Sequence, residues 1–251
     1  MGWGTGMKER PIYWLSYGGG VNSTALAILL ANGSLPQYQP WRIVFADTLT
    51  ERPETYQFIN KHFIPWLKLH DKELEIVRPT EGVLERWERL KVTGSRILRT
   101  CTAEAKINPI KKYVAENGGG EQLIGIDADE AHRMQDRIRP LVDMDIGRDE
   151  CIQIIKATGL PSPGKSGCWC CPFLRVQEII KLVKTDPCKF ARIELLEQIA
   201  TETHGPQEGG QQRTHWHDKP CAYWRRRADQ GDLFFDDGRI DEKIPCRCWD
   251  G

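Results

Sequence analysis

Short apolar runs alternate with helix-length stretches through the first half of the chain, and that alternation predicts the layers of a fold. Ile12 to Leu15 is a strand-length apolar run and Ala25 to Ala31 an apolar run of helical character, with a glycine-rich turn between them. The spacing predicts a strand, a turn and a helix from about Asn22 to Asn32, where Asn32-Gly33-Ser34 supplies a stop. Trp41 to Ala46 reads as a second strand ending at Asp47, and Thr50 ahead of Glu51, Pro53 and Glu54 marks a helix start. That helix carries Tyr56, Phe58, Ile59, Phe63 and Ile64 on one face. Glu73 to Val77 is a third strand with Leu74 and Ile76 turned inward, Glu81 to Leu90 a short helix, and Gln122 to Ile126 a fourth strand. Strands that alternate with helices in this order imply a parallel α/β sheet between helical layers.

From Pro140 the pattern changes. A short apolar helix ends at Thr158, and a proline- and glycine-rich stretch leads into Cys168-Trp169-Cys170-Cys171. Val176 to Val183 and Phe190 to Ile199 then read as amphipathic helices, Glu202 to Thr214 as a loop, and the remainder as a polar, aromatic-rich tail packed on the domain. The expected division is residues 1–139 as a nucleotide-binding core and 140–251 as a mostly helical, cysteine-bearing extension.

Composition narrows the classes. No apolar run reaches the roughly 20 residues a spanning helix needs, and Met1 to Arg10 holds no apolar segment resembling a signal peptide, so a cytoplasmic protein is expected. Lys plus Arg and Asp plus Glu are equal at 35 each, so global charge names no polyanionic partner. Nine cysteines are many for such a chain, and an odd count suits a disulfide framework poorly; metal or redox use is the leading explanation. Cys188 and Cys221 are expected to be small buried hydrophobes.

The turn Ser16-Tyr17-Gly18-Gly19-Gly20-Val21-Asn22-Ser23-Thr24 has the chemistry of a phosphate cradle. Glycines let the backbone approach a ligand, and the helix behind them offers unpaired N–H groups and a positive dipole end. Neither the Walker spacing nor G-x-G-x-x-G is present. The segment resembles the PP-loop ATP pyrophosphatases, with signature S-x-G-G-x-D-S, and more narrowly their phosphoadenosine phosphosulfate (PAPS) reductase-like branch. Ser16, Gly18, Gly19 and Ser23 fit with one extra residue in the glycine run, whereas Asn22 stands where the wider superfamily has Asp. Phe45-Ala46-Asp47-Thr48 followed by Glu51-Arg52-Pro53-Glu54-Thr55-Tyr56 is similar to the family's F-A-D-T-G-x-E-x-P-E-T-Y, with Leu49 in place of the glycine. Arg99-Thr100-Cys101-Thr102 with Lys106-Ile107-Asn108-Pro109-Ile110, Gly125-Ile126 with Asp129, Glu130 and Arg133, and Pro161 to Phe173 resemble further family segments, and Cys151 aligns with a D-C-I motif.

The resemblance implies a Rossmann-like sandwich of the adenine nucleotide α-hydrolase type. ATP or PAPS would lie on Ser16, Gly18, Gly19, Gly20, Asn22, Ser23 and Thr24, with Asp47 near Mg2+ and Lys106, Asp129 and Arg133 serving phosphate, ribose or the second substrate. On the bland side, Asp47 is also a helix cap, Glu51 and Glu54 are helix-dipole charges, and Glu130 with Arg133 is also a surface pair. Cys101, Cys151, Cys168 and Cys171 are the expected metal centre, a 4Fe-4S cluster ahead of zinc; Cys170 is expected to turn away from Cys171, with a Cys168 and Cys170 pairing left open. Arg86, Arg89, Lys91, Arg96 and Arg99 form a basic cluster that reads equally as a solvated face or a phosphate grip. In the tail, His215 and His217 fit no zinc finger, and the Arg225 to Arg227 run offers phosphate contacts. Three functions compete: an ATP-dependent iron–sulfur sulfur transferase acting on tRNA or DNA, a PAPS or adenylyl-sulfate reductase, and a non-catalytic nucleotide-binding module. The first leaves room for a sulfur-donor protein such as a cysteine desulfurase, and for a homodimer.

Overall fold

The structure, a computed structural model, describes residues 11–133, 136–207 and 212–230. Its contacts divide the chain into two units that interleave in sequence. Among the described residues, the first takes the chain up to Phe45, Tyr56–Val77 and Ile110–Pro163; the second takes Ala46–Thr55, Arg78–Pro109 and the chain from Gly164 onward. A single boundary at 139/140 is therefore not where the contacts fall: 140–163 belongs with the sheet, and 78–109 with the cysteine-bearing part. Strand neighbours far apart in sequence bring this about, because β4 pairs beside β1 only after the chain has made an excursion.

The first unit is a four-stranded parallel sheet in the order β3-β2-β1-β4 with flanking helices. β1 (Tyr13–Tyr17) pairs in parallel with β2 (Trp41–Ala46), Tyr17 facing Phe45, and with β4 (Glu121–Ile124), Leu15 facing Leu123. β3 (Leu74–Val77) lies outside β2. The expected strands are all present within a residue or two. α1 (Val21–Ala31) is buried from Val21 through Leu30, which is why its sequence is apolar on every side rather than striped. Its neighbour is α8 (Arg148–Ala157), which buries Cys151 and Ile155. Leu15, Leu26, Leu30, Ile43, Phe63 and Leu67 form the centre of this core, and the rings of Tyr17 and Phe63 stack 4.2 Å apart. Each such aliphatic side chain contributes about 1.5–3 kcal/mol by leaving water. The helix expected after Thr50 is interrupted: α2 (Pro53–Phe58) passes through a π turn (Ile59–Phe63) into α3 (Ile64–Lys68).

The second unit is helical. It contains α4 (Val83–Leu90), α5 (Thr100–Thr102), a π turn at Ala103–Ile107, α9 (Val176–Thr185), α10 (Pro187–His204) and α11 (Cys221–Asp229). α6 (Asn108–Glu116) and α7 (Pro140–Asp143) complete the chain order, returning to the first unit. The second core gathers Trp87, Ile179, Phe190, Ile193, Trp216 and Trp224. Cys221 is buried in it as expected, but Cys188 is exposed on α10. No helix among the described residues is long and apolar enough to cross a membrane. Cys246 and Cys248 lie outside the described residues.

The tail does more than cover apolar surface. Glu197, fully buried on α10, accepts the backbone N–H groups of His215 and Cys221, both at 2.7 Å. His215 in turn accepts the Gly94 N–H at Nδ1 (3.0 Å), and its Nε2 donates to the Cys170 carbonyl (2.8 Å). Burial pulls its pKa down to about 4, so the ring is neutral and holds one tautomer. Trp216 Nε1 donates to the Cys171 carbonyl at 2.9 Å and His217 Nε2 bonds the Leu174 carbonyl at 2.6 Å. The His-Trp-His run thus clamps the backbone of the cysteine turn, and both His215 nitrogens are engaged, leaving no lone pair for zinc. His215→Ala leaves two buried backbone groups unpaired and is expected to cost about 2–4 kcal/mol, read as a lowered denaturant midpoint at unchanged slope.

Candidate functional site

The glycine turn forms at the carboxyl end of the central strand. Gly19 has φ +71°, and Gly20 caps α1 without any side-chain cap bond, so no capping side chain occupies the helix N-terminus. The turn is braced from within: Ser23 Oγ accepts the Gly18 N–H (3.2 Å) and donates to the Gly20 carbonyl (3.2 Å), while Thr24 Oγ1 donates to the same carbonyl (2.8 Å). Ser23 and Thr24 therefore shape the cradle from their own hydroxyls. Gly125, just past β4, lies against the first turn of α1: a Cβ there would stand 2.7 Å from both N and Cα of Ser23.

Asn22 is fully engaged. Its Nδ2 donates to Asp127 Oδ2 at 2.8 Å, and its Oδ1 accepts from Arg148 at 3.0 Å, all three groups buried. An aspartate could supply only acceptors, so the exchange of Asp for Asn at this position matches the donor that Asp127 requires. Asp129 accepts the Arg148 N–H at 2.9 Å, capping α8 from outside, and Arg133 pairs with Glu130. The pair is not the surface pair of the bland reading, because Arg133 is buried; Asp127 joins the loop although its motif does not single it out.

Asp47, in the second unit, is 5% exposed; it accepts the Leu49 N–H (3.0 Å) and pairs with Arg78 (3.0 Å). Leu49 takes φ +62°. The backbone keeps the left-handed turn for which the resembling family places glycine, and a leucine there bears a cost of about 1–2 kcal/mol. Leu49→Gly is expected to return much of that cost as stability, offset by the added flexibility of the unfolded chain; a melting temperature no higher than the parent's would show that the turn is unstrained.

The second unit holds a pocket of about 500 Å³, its open mouth included, whose lining residues include Cys101, Cys168, Cys170 and Cys171 with Lys106 and Arg99. Cys101 comes from α5 and Lys106 from the π turn behind it, a local widening of the helix of the kind that recurs at functional positions. The cysteine turn is docked by backbone pairing with 50–52: Trp169 N–H to Thr50 carbonyl (2.9 Å), Arg52 N–H to Gly167 carbonyl (3.1 Å), and an antiparallel bridge between Glu51 and Cys168. Cys170 is also among the residues that line this pocket. Burial, then the Glu51 charge, pushes the Cys168 thiol up to about 12; burial also raises Cys170 and Cys171, so the uncomplexed thiols are protonated near neutrality.

Glu51 is not the helix-dipole charge that its place in the sequence suggests: it is 2% exposed and paired to Lys106 at 2.9 Å, with Thr48 donating to the same oxygen at 3.2 Å. Burial works against the Lys106 ammonium, but Glu51 and the neighbouring thiols hold its pKa above the ordinary value. The pocket thus contains a fixed cation. Sequence separation hides the pair, since its members stand far apart in the chain and no local pattern connects them. The basic cluster is divided as well: Arg89 is held bidentately by Glu81, while Arg96 and Arg99 lie over the Phe173 ring at 5.2 and 4.7 Å.

The four expected ligands are not treated alike. Cys101, Cys168 and Cys171 share the pocket, whereas Cys151 belongs to the first unit, fully buried in its apolar core with its thiol pushed up to about 12 by burial. Among the described residues no three His, Cys, Asp or Glu side chains form a ready metal-holding group. The chemistry of the pocket's donors nevertheless fits a thiolate-bound group: four cysteines are among its lining residues, with no Asp, Glu or His among them.

A family model described as the phosphoadenosine phosphosulfate reductase domain matches residues 12–161, stopping short of the cysteine turn. No match was found among curated proteins. Among solved structures the chain is similar to phosphoadenylyl-sulfate reductase from Candida auris, with 18% identity, a TM-score of 0.45, and coverage of 63% of this chain and 81% of that one. It is also similar to the U34-tRNA thiolase NcsA from Methanococcus maripaludis, solved with its 4Fe-4S cluster (15% identity, TM-score 0.44, 77% and 73% covered). A third similarity is to NMN synthetase from Francisella tularensis (11% identity, TM-score 0.41, 88% and 86% covered). With a family match over more than half its length, the chain belongs to the phosphoadenosine phosphosulfate reductase domain family.

Proposed function

We propose that this protein is an ATP-dependent sulfur transferase that adenylates a nucleic-acid substrate and uses its thiol pocket to hold a 4Fe-4S cluster. The observation that carries this reading is the convergence of Cys101, Cys168 and Cys171 beside Lys106 and Arg99 in a protein that also has a nucleotide-type glycine cradle. A reductase needs one nucleophilic thiol, and a bare nucleotide-binding module needs none; neither accounts for several cysteines gathered beside a fixed cation.

In the proposed reaction, the N–H groups at the start of α1 bind the nucleotide phosphates and stabilise charge that develops as a substrate oxygen attacks the α-phosphorus. The new O–P bond forms as the α–β anhydride bond breaks, releasing pyrophosphate. A sulfur nucleophile then displaces AMP, the C–S bond forming as the C–O bond breaks. Cys101, Cys168 and Cys171 would hold the cluster, which when bound supplies soft anionic sulfur chemistry. Lys106, fixed by Glu51, offsets negative charge in the pocket, and Arg96 and Arg99 at Phe173 offer contacts to substrate phosphates.

ATP–pyrophosphate exchange dependent on tRNA or DNA tests the reading. Exchange with one of these is the expected result; thioredoxin-dependent release of sulfite from PAPS, without exchange, would replace it by the reductase that the family name favours. Nucleic-acid binding should also weaken steeply with salt, and removing the charges of Arg96 and Arg99 should flatten that slope.

A further inference from the structure

We propose that Asp127 is the carboxylate that holds the divalent cation of a nucleotide bound at the glycine cradle, a part that the side chain of Asn22 at the loop itself does not play. This rests on the reading of the cradle as a nucleotide site.

Three observations lead there. Asn22 has both ends of its amide committed, one to Asp127 and one to Arg148, so the loop's own polar side chain has its bonding capacity taken up within the fold. Asp127 is bonded directly to that loop residue through Oδ2, and it is 1% exposed. Its other oxygen, Oδ1, is buried and finds no hydrogen-bond partner among the described residues; the nearby Glu130 N–H bonds the Asp127 main-chain carbonyl instead. A buried carboxylate oxygen with no donor is unfavourable unless a cation or a ligand completes it.

Charge and coordination agree with this. Mg2+ is commonly held by one or two carboxylates together with substrate phosphates and water, so one carboxylate beside a phosphate cradle is enough, and no preformed cage of protein ligands is required. Burial raises the Asp127 pKa, the strain that a bound cation would relieve. Arg148 contacts the opposite end of the Asn22 amide, and its charge offsets only part of the effect of burial on Asp127. An aspartate at position 22 would set two carboxylates against each other across the present 2.8 Å hydrogen bond. The geometry therefore permits a carboxylate at 22 or at 127, but not comfortably at both.

That exclusivity supplies the test. ATP affinity is measured by calorimetry with Mg2+ and with excess EDTA, and Mn2+ binding in the presence of ATP by electron paramagnetic resonance, for the parent, Asp127→Asn, and the transposed pair Asn22→Asp with Asp127→Asn. The parent should bind ATP more tightly with the metal. Asp127→Asn should keep metal-free binding within about two-fold while losing roughly ten- to a hundred-fold of the metal-dependent part. In the transposed pair, the amide placed at position 127 can donate to the carboxylate placed at position 22, restoring the hydrogen bond in reverse, and metal dependence should return. Unchanged metal dependence in Asp127→Asn overturns the proposal, as does a folded transposed pair with no metal dependence. If Asp127→Asn fails to fold, the transposed pair decides alone. A parent that binds no ATP with or without metal defeats the nucleotide reading instead, which distinguishes the two failures.

Discussion

Anaerobically purified parent protein is expected to be brown and to carry iron, and Cys168→Ala and Cys171→Ala are each expected to lose both iron and colour. The argument is one of alternatives at a single pocket. Without a metal the Cys168 and Cys171 thiols stay protonated, and in the proposed centre each would contribute a thiolate bond that no non-cysteine side chain lining the pocket could replace. Removing one of the three proposed ligands is therefore expected to lose the metal rather than only a proportionate share of its affinity. Cys151→Ala provides the contrast. Its thiol packs with Leu141 and Ile155 in the sheet unit's core, so that variant should lose about 1–2 kcal/mol of stability through a small cavity while retaining iron. Iron loss in Cys151→Ala equal to that in Cys171→Ala would restore it as the fourth ligand. Stoichiometric zinc in the parent would reject the cluster, and absence of any metal from anaerobic protein would reject the site. The Lys106–Glu51 pair should matter here too, since removal of one partner leaves a buried charge uncompensated.

Sequence reasoning reaches the sheet and the cradle because both have local signatures. Trp41–Ala46 is bounded by a proline and an aspartate and is apolar or aromatic at all but one position, so its limits follow from composition alone. The glycine turn is likewise contained within nine residues. What escapes has long-range causes. Glu51 looks like a first-turn acid because its partner, Lys106, is remote in sequence, and Asp127 looks like a spacer because its bond to Asn22 spans 105 positions. The helical character of 100–116 is hidden when Cys101 and Lys106 are read as motif letters, while the π turn that displays Lys106 has no sequence signature of its own. The tail's packing role is legible in its aromatic content; that its histidines clamp the carbonyls of the cysteine turn is not, because backbone acceptors carry no residue identity. Asn22 is the instructive case: its departure from the resembling signature reads as a weakened metal site, and in the fold it is a donor demanded by a carboxylate elsewhere.

Gly19→Val is expected to abolish ATP binding while leaving the sheet intact. Gly19 sits at φ +71°, within the left-handed region, where a β-branched residue is a true outlier and the cost is at least about 1–2 kcal/mol. The chain can avoid that cost only by rotating the peptide units on either side, and those units carry the N–H groups that make the turn a cradle. Binding should therefore respond more than stability does, because the native fold tolerates a moved loop but a phosphate needs convergent donors. Gly125→Ala should behave in the opposite way. Its new methyl would meet the Ser23 backbone at 2.7 Å, pushing the whole first turn of α1 off the end of β4, so melting temperature and ATP affinity should fall together. Calorimetry on both variants, with circular dichroism melts alongside, separates a conformational requirement of the loop from the seating of its helix. ATP binding by Gly19→Val as tight as the parent's would mean that the glycine turn only connects β1 to α1.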